Sequence, residues 1–270
     1  MRRTVVAIAS LAAVGICGPT AFAADMPIVT KAPVAVAAYN WTGWYVGVNA
    51  GGTWGSADTP TTTVFAGPGY FASTSVASIN ATNQSSDFSG FTGGIQAGYN
   101  WQFNPNLVAG IEVDFNYFGN RGSNTVTNVY PCCAPTSYTI NAEVKTDWLF
   151  TARPRIGWAI NNWLLYLTGG VALTNLKGDF VFTDTFAAAL ETGSVSKTKF
   201  GWVIGFGAEY AMLNRWSLKA EYLYVDFGQI STTSTNLTAF VPRTPFPASV
   251  FTHSVDLQSH IVRLGLNYKL

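Results

Sequence analysis

Along most of the chain, apolar and polar residues alternate with a period of two. That pattern marks strands that present each face to a different environment. From Trp41 onward eight such segments recur, at about 42–54, 89–103, 107–118, 143–158, 163–174, 198–211, 216–227 and 258–270. The third is the plainest: Leu107, Ala109, Ile111, Val113, Phe115 and Tyr117 alternate with Gly110, Glu112, Asp114 and Asn116. Their connections sort by length. Tight turns stand at 104–106, 160–162 and 212–215, and long Ser/Thr/Asn/Gly-rich loops at about 55–88, 119–142, 175–197 and 228–257. An even number of strands, each able to cross a bilayer at a tilt of about 45°, with short turns at one end and long loops at the other, describes a membrane barrel. The expected fold class is therefore all-β, an eight-stranded antiparallel transmembrane β-barrel over residues 41–270.

Charge sharpens this picture. The greasy faces of the eight segments carry no Asp, Glu, Lys or Arg. The opposite faces carry Glu112, Asp114, Asp147, Arg153, Arg155, Glu209, Lys219, Glu221, Arg263 and Lys269. A charge facing lipid at mid-membrane costs about 2–4 kcal/mol for Arg or Lys, so these ten point inward and the greasy set meets hydrocarbon. They are five acids and five bases, so they can neutralise one another. An eight-stranded interior is about wide enough for side chains to fill. The expectation is a salt-bridged plug that serves stability, with inward glycines leaving room for long side chains. Trp44, Trp54, Tyr99, Trp101, Phe103, Trp158, Trp163, Tyr210, Trp216 and Tyr268 fall near strand ends and are expected to form interfacial girdles. Pro154 sits mid-strand on the greasy face and lacks a ladder donor, so a bulge or bend is expected there.

The N-terminus reads differently. Arg2 and Arg3 precede an apolar run from Val5 to Cys17, and Ala21-Phe22-Ala23 supplies a small-x-small cleavage site. Residues 1–23 are expected to be a signal peptide, and 24–40, with Pro27 and Pro33, a flexible periplasmic lead-in. Cleavage would take Lys+Arg from 15 to 13 against 14 acids, a net charge of about −1. Neither that value nor the +1 of the whole chain suits a nucleic-acid partner, which needs a basic stripe. Charged residues make up only 11% of the chain, against about 25% in ordinary globular proteins.

Candidate chemistry is sparse. The neighbours Cys132 and Cys133 read as incidental loop residues, with a vicinal disulfide or paired thiols as alternatives. His253-Ser254 could suggest a hydrolase pair, but strand neighbours point to opposite faces and no third orienting residue is evident. His253 and His260 are therefore expected to be loop or rim residues. No metal cluster, phosphate loop or dinucleotide fingerprint is present. Neither a cofactor nor an enzyme activity is expected.

The stretches KAPVAVAAYNWTGWYVGVNAGG (31–52), GGIQAGYNWQ (93–102), TARPRIGWA (151–159), LYLTGGVA (165–172) and WSLKAEYLYVDFG (216–228) resemble the RopB-type, opacity-like outer-membrane proteins of alphaproteobacteria. The resemblance covers the expected mature chain. It implies a barrel in the bacterial outer membrane, in contact with its lipids and lipopolysaccharide and delivered by the barrel-assembly machinery. It also implies roles in envelope integrity and loops that meet host or surface ligands. The porin-family label often given to such proteins leaves a small passive channel as the alternative. Leu270 departs from the usual terminal Phe, and Pro154 stands where the pattern has a small or flexible residue.

Overall fold

The computed structural model describes residues 39–270 apart from Pro68, Asn83, Leu213 and Asn214. The expected signal peptide and positions 24–38 of the lead-in lie outside the described residues. Twelve antiparallel strands form one sheet: β1 (Gly43–Asp58), β2 (Thr61–Thr63), β3 (Ser85–Gln102), β4 (Leu107–Phe118), β5 (Arg121–Val129), β6 (Ser137–Ile160), β7 (Trp163–Asp184), β8 (Leu190–Ala211), β9 (Trp216–Ser234), β10 (Thr238–Ala239), β11 (Thr244–Pro245) and β12 (Phe251–Lys269). A single helix among the described residues, α1 (Ser73–Asn80), follows β2. Eight long strands close a ring in the order β1, β3, β4, β6, β7, β8, β9, β12, with β12 returning to β1. Closure leaves these strands without a free edge, which is how a sheet satisfies its backbone where water is absent.

The tight turns follow their local chemistry. Asn104 Oδ1 accepts the amides of Asn106 and Leu107 at 3.0 and 2.8 Å, an Asx turn that reverses β3 into β4. Asn161 takes φ +54° in the two-residue reversal between β6 and β7, a conformation Asn tolerates better than most residues.

The long connections differ from expectation. Most of their residues are strand. β7 and β8 leave only positions 185–189 between them, and β5 continues the stave of β4 as a hairpin against β6. The cause is an inversion of the alternation. Within β6, Tyr138, Ile140, Ala142 and Val144 are buried while Thr139, Asn141, Glu143 and Lys145 face out. Further along the same strand, Thr151, Arg153 and Arg155 are buried while Ile156 and Trp158 face out. The switch falls at a bulge between Thr146 and Leu149. A reading tuned to greasy outer faces therefore takes the inverted half for loop.

The interior is layered. At the tight-turn end Trp41, Val108, Ala159, Leu164, Tyr166 and Ala211 cluster. A polar layer follows, then an apolar core that includes Phe88, Phe118, Leu149, Leu176, Phe180, Phe227 and Leu257. Beyond that core, Val76 and Ile79 of α1 belong to a cluster with Phe71, Tyr138, Ile140, Phe182 and Phe251. Aromatics mark two levels on the outside. Trp44 with Tyr99, Tyr99 with Trp101, Trp163 with Tyr210 and Trp216 with Tyr268 make contacts of 4.5–5.0 Å at the tight-turn end. Trp54, Trp148 and Trp202 stand at the other, beside His260, Phe115 and Tyr224 respectively. The ten residue-to-residue steps from Trp44 to Trp54, on strands rising about 3.3 Å per residue and tilted about 40°, span roughly 25 Å, the height of an outer-membrane apolar band.

Pro154 shows no bulge. It faces out, opposite Ile111 of β4, and β6 keeps one register against β7 from Ala152–Val171 to Arg155–Thr168. Its carbonyl accepts the Thr168 hydroxyl at 2.9 Å, so a side chain supplies a bond at the gap in the β6–β7 ladder.

Single cysteines should report the inversion. In lipid vesicles, cysteine at 141, 143 or 145 should react with a membrane-impermeant maleimide and cysteine at 142 or 144 should not. Cysteine at 111, 113 or 115 should be unreactive to that reagent but accessible to a lipid-borne quencher. Uniform reactivity along 141–145 would contradict the assigned faces.

Candidate functional site: the charged interior

Opposite registers create the site. Glu112 of β4 stands across from Arg153 of β6, Glu209 of β8 across from Lys219 of β9, and Glu221 of β9 across from Arg263 of β12. Cross-strand partners of opposite sign attract, but these side chains also reach across the ring. Arg153 Nη2 lies 2.7 Å from Glu112 Oε1 and 2.9 Å from Asp114 Oδ2, and its Nη1 lies 3.1 Å from Glu221 Oε1. Arg263 bonds Asp114 twice at 3.1 Å and places Nη2 2.7 Å from Glu221 Oε2. Lys219 Nζ meets Glu112 Oε1 at 2.8 Å, and Arg155 Nη1 meets Glu209 Oε2 at 3.2 Å. Eight charged residues, four acids and four bases, thus form one buried and electrically neutral network. Buried ions are tolerated only when each has a partner of opposite sign.

Two of the ten inward charges expected from the sequence stand elsewhere. The bulge between Thr146 and Leu149 rotates Asp147 outward, where it pairs with Lys177 at 2.6 Å and is half exposed. Lys269 lies at the tight-turn mouth, with Nζ on the Asn40 carbonyl and over the Tyr39 ring at 5.2 Å, and among the described residues it makes no ion pair with a carboxylate. Losing one acid and one base keeps the network neutral, at four of each.

Several neutral partners escaped the sequence reading. Tyr45 and Tyr166 point inward and donate to Glu112 Oε2 at 2.8 Å and Glu221 Oε1 at 2.9 Å. The Arg155 guanidinium lies 4.7 Å from the Tyr45 ring centre and 5.1 Å from that of Tyr166, a favourable cation–π arrangement. Two inward glycines make space for these rings: a Cβ at Gly98 would sit 2.3 Å from the Tyr45 hydroxyl, and one at Gly207 2.5 Å from that of Tyr166; a Cβ at Gly51 would sit 2.7 Å from that of Arg263. Asn100 accepts from Arg155 Nε at 3.0 Å, and Asn267 donates to Glu209 Oε1 at 2.8 Å. The signal available in the sequence was inward parity, which Tyr45, Tyr166, Gln96 and Asn267 share with the charges. Packing leaves little room: the hollow at the mouth between Tyr39, Trp41, Glu209 and Lys269 measures about 10 Å³, space for roughly one water.

The histidines are not rim residues of one kind. His253 is fully buried in the outer half of the ring, with Nε2 3.1 Å from Glu191 Oε1, Nδ1 3.0 Å from Thr61 Oγ1, and its ring stacked on Phe180 at 4.5 Å. Ser254 takes no part, so the suspected pair is absent. His260 faces out between Trp54 and Tyr224 and bonds the Tyr222 hydroxyl at 2.6 Å. Among the described residues no group of three or more His, Cys, Asp or Glu could hold a metal ion. Cys132 and Cys133, read as incidental, are joined as a disulfide in the β5–β6 turn, and Cys132 Sγ contacts Ser75 of α1 at 3.5 Å. Nearby, Tyr70 and Tyr130 both donate to Asp184; burial first, then that carboxylate, push both phenols above their ordinary range.

A closed antiparallel ring with a greasy waist and a neutral, ion-paired interior is the build of an outer-membrane barrel, and comparison agrees. Residues 9–241 match the family described as outer membrane protein beta-barrel domain. The chain belongs to that family. It is 36% identical over 270 residues, covering 98% of both chains, to the 31 kDa outer-membrane immunogenic protein of Brucella melitensis biotype 1. It is also 33% identical over 138 residues to the 22 kDa outer membrane protein of Rhizobium leguminosarum bv. viciae, covering 51% of this chain and 53% of that one. Among solved structures, OprG from Pseudomonas aeruginosa aligns over 85% of this chain and 97% of its own at 11% identity, with a TM-score of 0.41. The protein is thus an alphaproteobacterial-type outer-membrane protein located in the bacterial outer membrane.

Truncating a member of the network should be costly. Arg153→Met leaves buried carboxylates unpaired and should lower stability in vesicles by about 3–5 kcal/mol. Asp147→Asn, which breaks a half-exposed pair, should change it by about 0–1 kcal/mol. Urea titration followed by tryptophan emission measures both, and equal effects would contradict the placement of these two residues.

Proposed function

We propose that this outer-membrane protein is an eight-stranded transmembrane barrel whose lumen is plugged, serving as a structural and surface-interaction element of the envelope. The observation that carries this reading is the interior: eight paired charges fill the middle of the ring, with apolar clusters on both sides. A solute would have to break several buried ion pairs and then cross a dry core. The outer half, by contrast, offers apolar side chains to the exterior, including the exposed Phe65, Phe186, Phe240 and Val241. In this reading residues 1–23 direct export, positions 24–40 form a periplasmic lead-in, the barrel-assembly machinery inserts the chain, and surface ligands meet the far end. A small passive channel is the competing reading.

Planar-bilayer recording separates them. The refolded mature chain should give no reproducible conductance. Channel steps whose size changes on neutralising Arg153 or Arg263 would overturn the plug. Deleting the gene should raise detergent sensitivity or alter surface adhesion, and an unchanged envelope and surface would count against the structural role.

A further inference from the structure

At the end of the ring away from the tight turns, three connections converge on a cavity of about 110 Å³. Tyr70 and Phe71 come from the segment before α1, Tyr130 from the β5–β6 turn, and Asp184 and Phe186 from the β7–β8 reversal. Phe71 and Tyr130 are buried while Phe186 and the Cys132–Cys133 pair are exposed, so the cavity has a buried wall and an open side. The rings make corners: the Tyr70 plane stands at 83° to Phe71 and at 67° to Phe186. Asp184 supplies the charge. Its Oδ2 accepts the Tyr70 and Tyr130 hydroxyls at 2.5 and 3.1 Å, and its Oδ1 the amides of Ala187 and Ala189 at 3.2 and 2.9 Å. Those bonds take up the roughly four lone-pair sites a carboxylate offers. They do not cancel its charge. Among the described residues no base makes an ion pair with Asp184, and Arg243 gives Nη1 to the Ala188 and Thr238 carbonyls.

These features select a ligand class. The carboxylate repels an anion, and a neutral apolar group would leave it without a counter-charge. A primary ammonium carries three N–H donors; it would find the Asp184 acceptors already occupied, and a donor without a partner is expensive to bury. A quaternary ammonium has no donors to satisfy, and aromatic faces attract its charge. Phenols that donate to a carboxylate take up part of its negative charge, which makes the Tyr70 and Tyr130 rings richer in electrons. The volume equals about four waters at roughly 30 Å³ each, room for one small headgroup. We propose that this cavity binds a trimethylammonium group such as that of choline. The inference deepens the surface-interaction reading above and rests on it.

The test uses the refolded mature chain in maltoside micelles, which are uncharged and carry no trimethylammonium of their own. Calorimetry measures affinity, and saturation-transfer NMR reports contact through the N-methyl protons. Choline should bind. Its neutral carbon isostere dimethylbutanol and its primary-amine analogue ethanolamine should each bind on the order of tenfold more weakly. D184N, which keeps the side chain's shape, and F186A, which removes an exposed ring, should each weaken choline binding, D184N by a similar factor. R243Q should not weaken it, as it would for an anionic ligand. Phosphocholine separates the sources: binding tighter than choline's marks a phospholipid headgroup, weaker binding a free solute, and either supports the site. Equal affinity for choline and either analogue, undiminished binding by D184N, or no binding by the native chain would overturn the proposal. Heat-modifiable gel migration checks that each variant is folded. A folded native chain that ignores choline strikes this proposal alone, whereas the surface-interaction reading stands or falls separately with the gene-deletion phenotype.

Discussion

Four carboxylates and four cations share the waist of a narrow ring, and their mutual neutralisation is the condition on which the rest of the structure depends. Taken singly, each ion buried there would cost several kcal/mol. Together they satisfy one another because β4 and β6, β8 and β9, and β9 and β12 are in registers that set acid opposite base. Arg153 and Arg263 then bind carboxylates on non-adjacent strands, tying β6 to β9 and β12 to β4 through the centre. An apolar interior at this level would have offered cohesion without direction. Guanidinium forks and carboxylates specify which strands face which, and so favour one register of the closed ring.

The same strands pass through two outer environments without a change of backbone geometry. At the waist the outward residues are Val, Ile, Leu and Phe, and the inward ones are ionised. Beyond Trp54, Trp148 and Trp202 the outward residues are Thr, Asn, Lys and Asp, and the inward ones are Phe, Leu, Val and Ile. The hydrophobic effect accounts for both halves, because apolar area goes wherever water is not. In the waist that place is the outside. In the outer half it is the inside, which gives that half a core like a soluble protein's, with the Thr61–His253–Glu191 contacts held within it.

This inversion decides how much was legible in advance. The waist could be read residue by residue, since Ile111, Val113 and Phe115 against Glu112 and Asp114 admit only one assignment of faces. Strand ends at 102, 107, 118, 163, 211 and 216 lie within a residue or two of those read from alternation. The outer half was taken for loops because its alternation has the opposite polarity and more Ser, Thr and Asn. Asp147 was misplaced because parity was carried through a bulge, and a single extra residue sends a side chain to the other face. Lys269 shares inward parity with Arg263 but sits past the last carboxylate, at the mouth. Pro154 was expected to bend its strand; the register against β7 instead continues past it, with the Thr168 hydroxyl on its carbonyl.

The claim that cross-ring ion pairing organises the barrel is most directly tested by a double-mutant cycle on Arg263 and Asp114, whose strands are separated by β1 and β3. Unfolding free energies of Arg263→Met, Asp114→Leu and the double variant, measured by urea titration from lipid vesicles, should reveal a coupling of about 1.5–3 kcal/mol, with the double variant far less damaged than the sum of the singles. Additivity within about 0.5 kcal/mol would contradict the account.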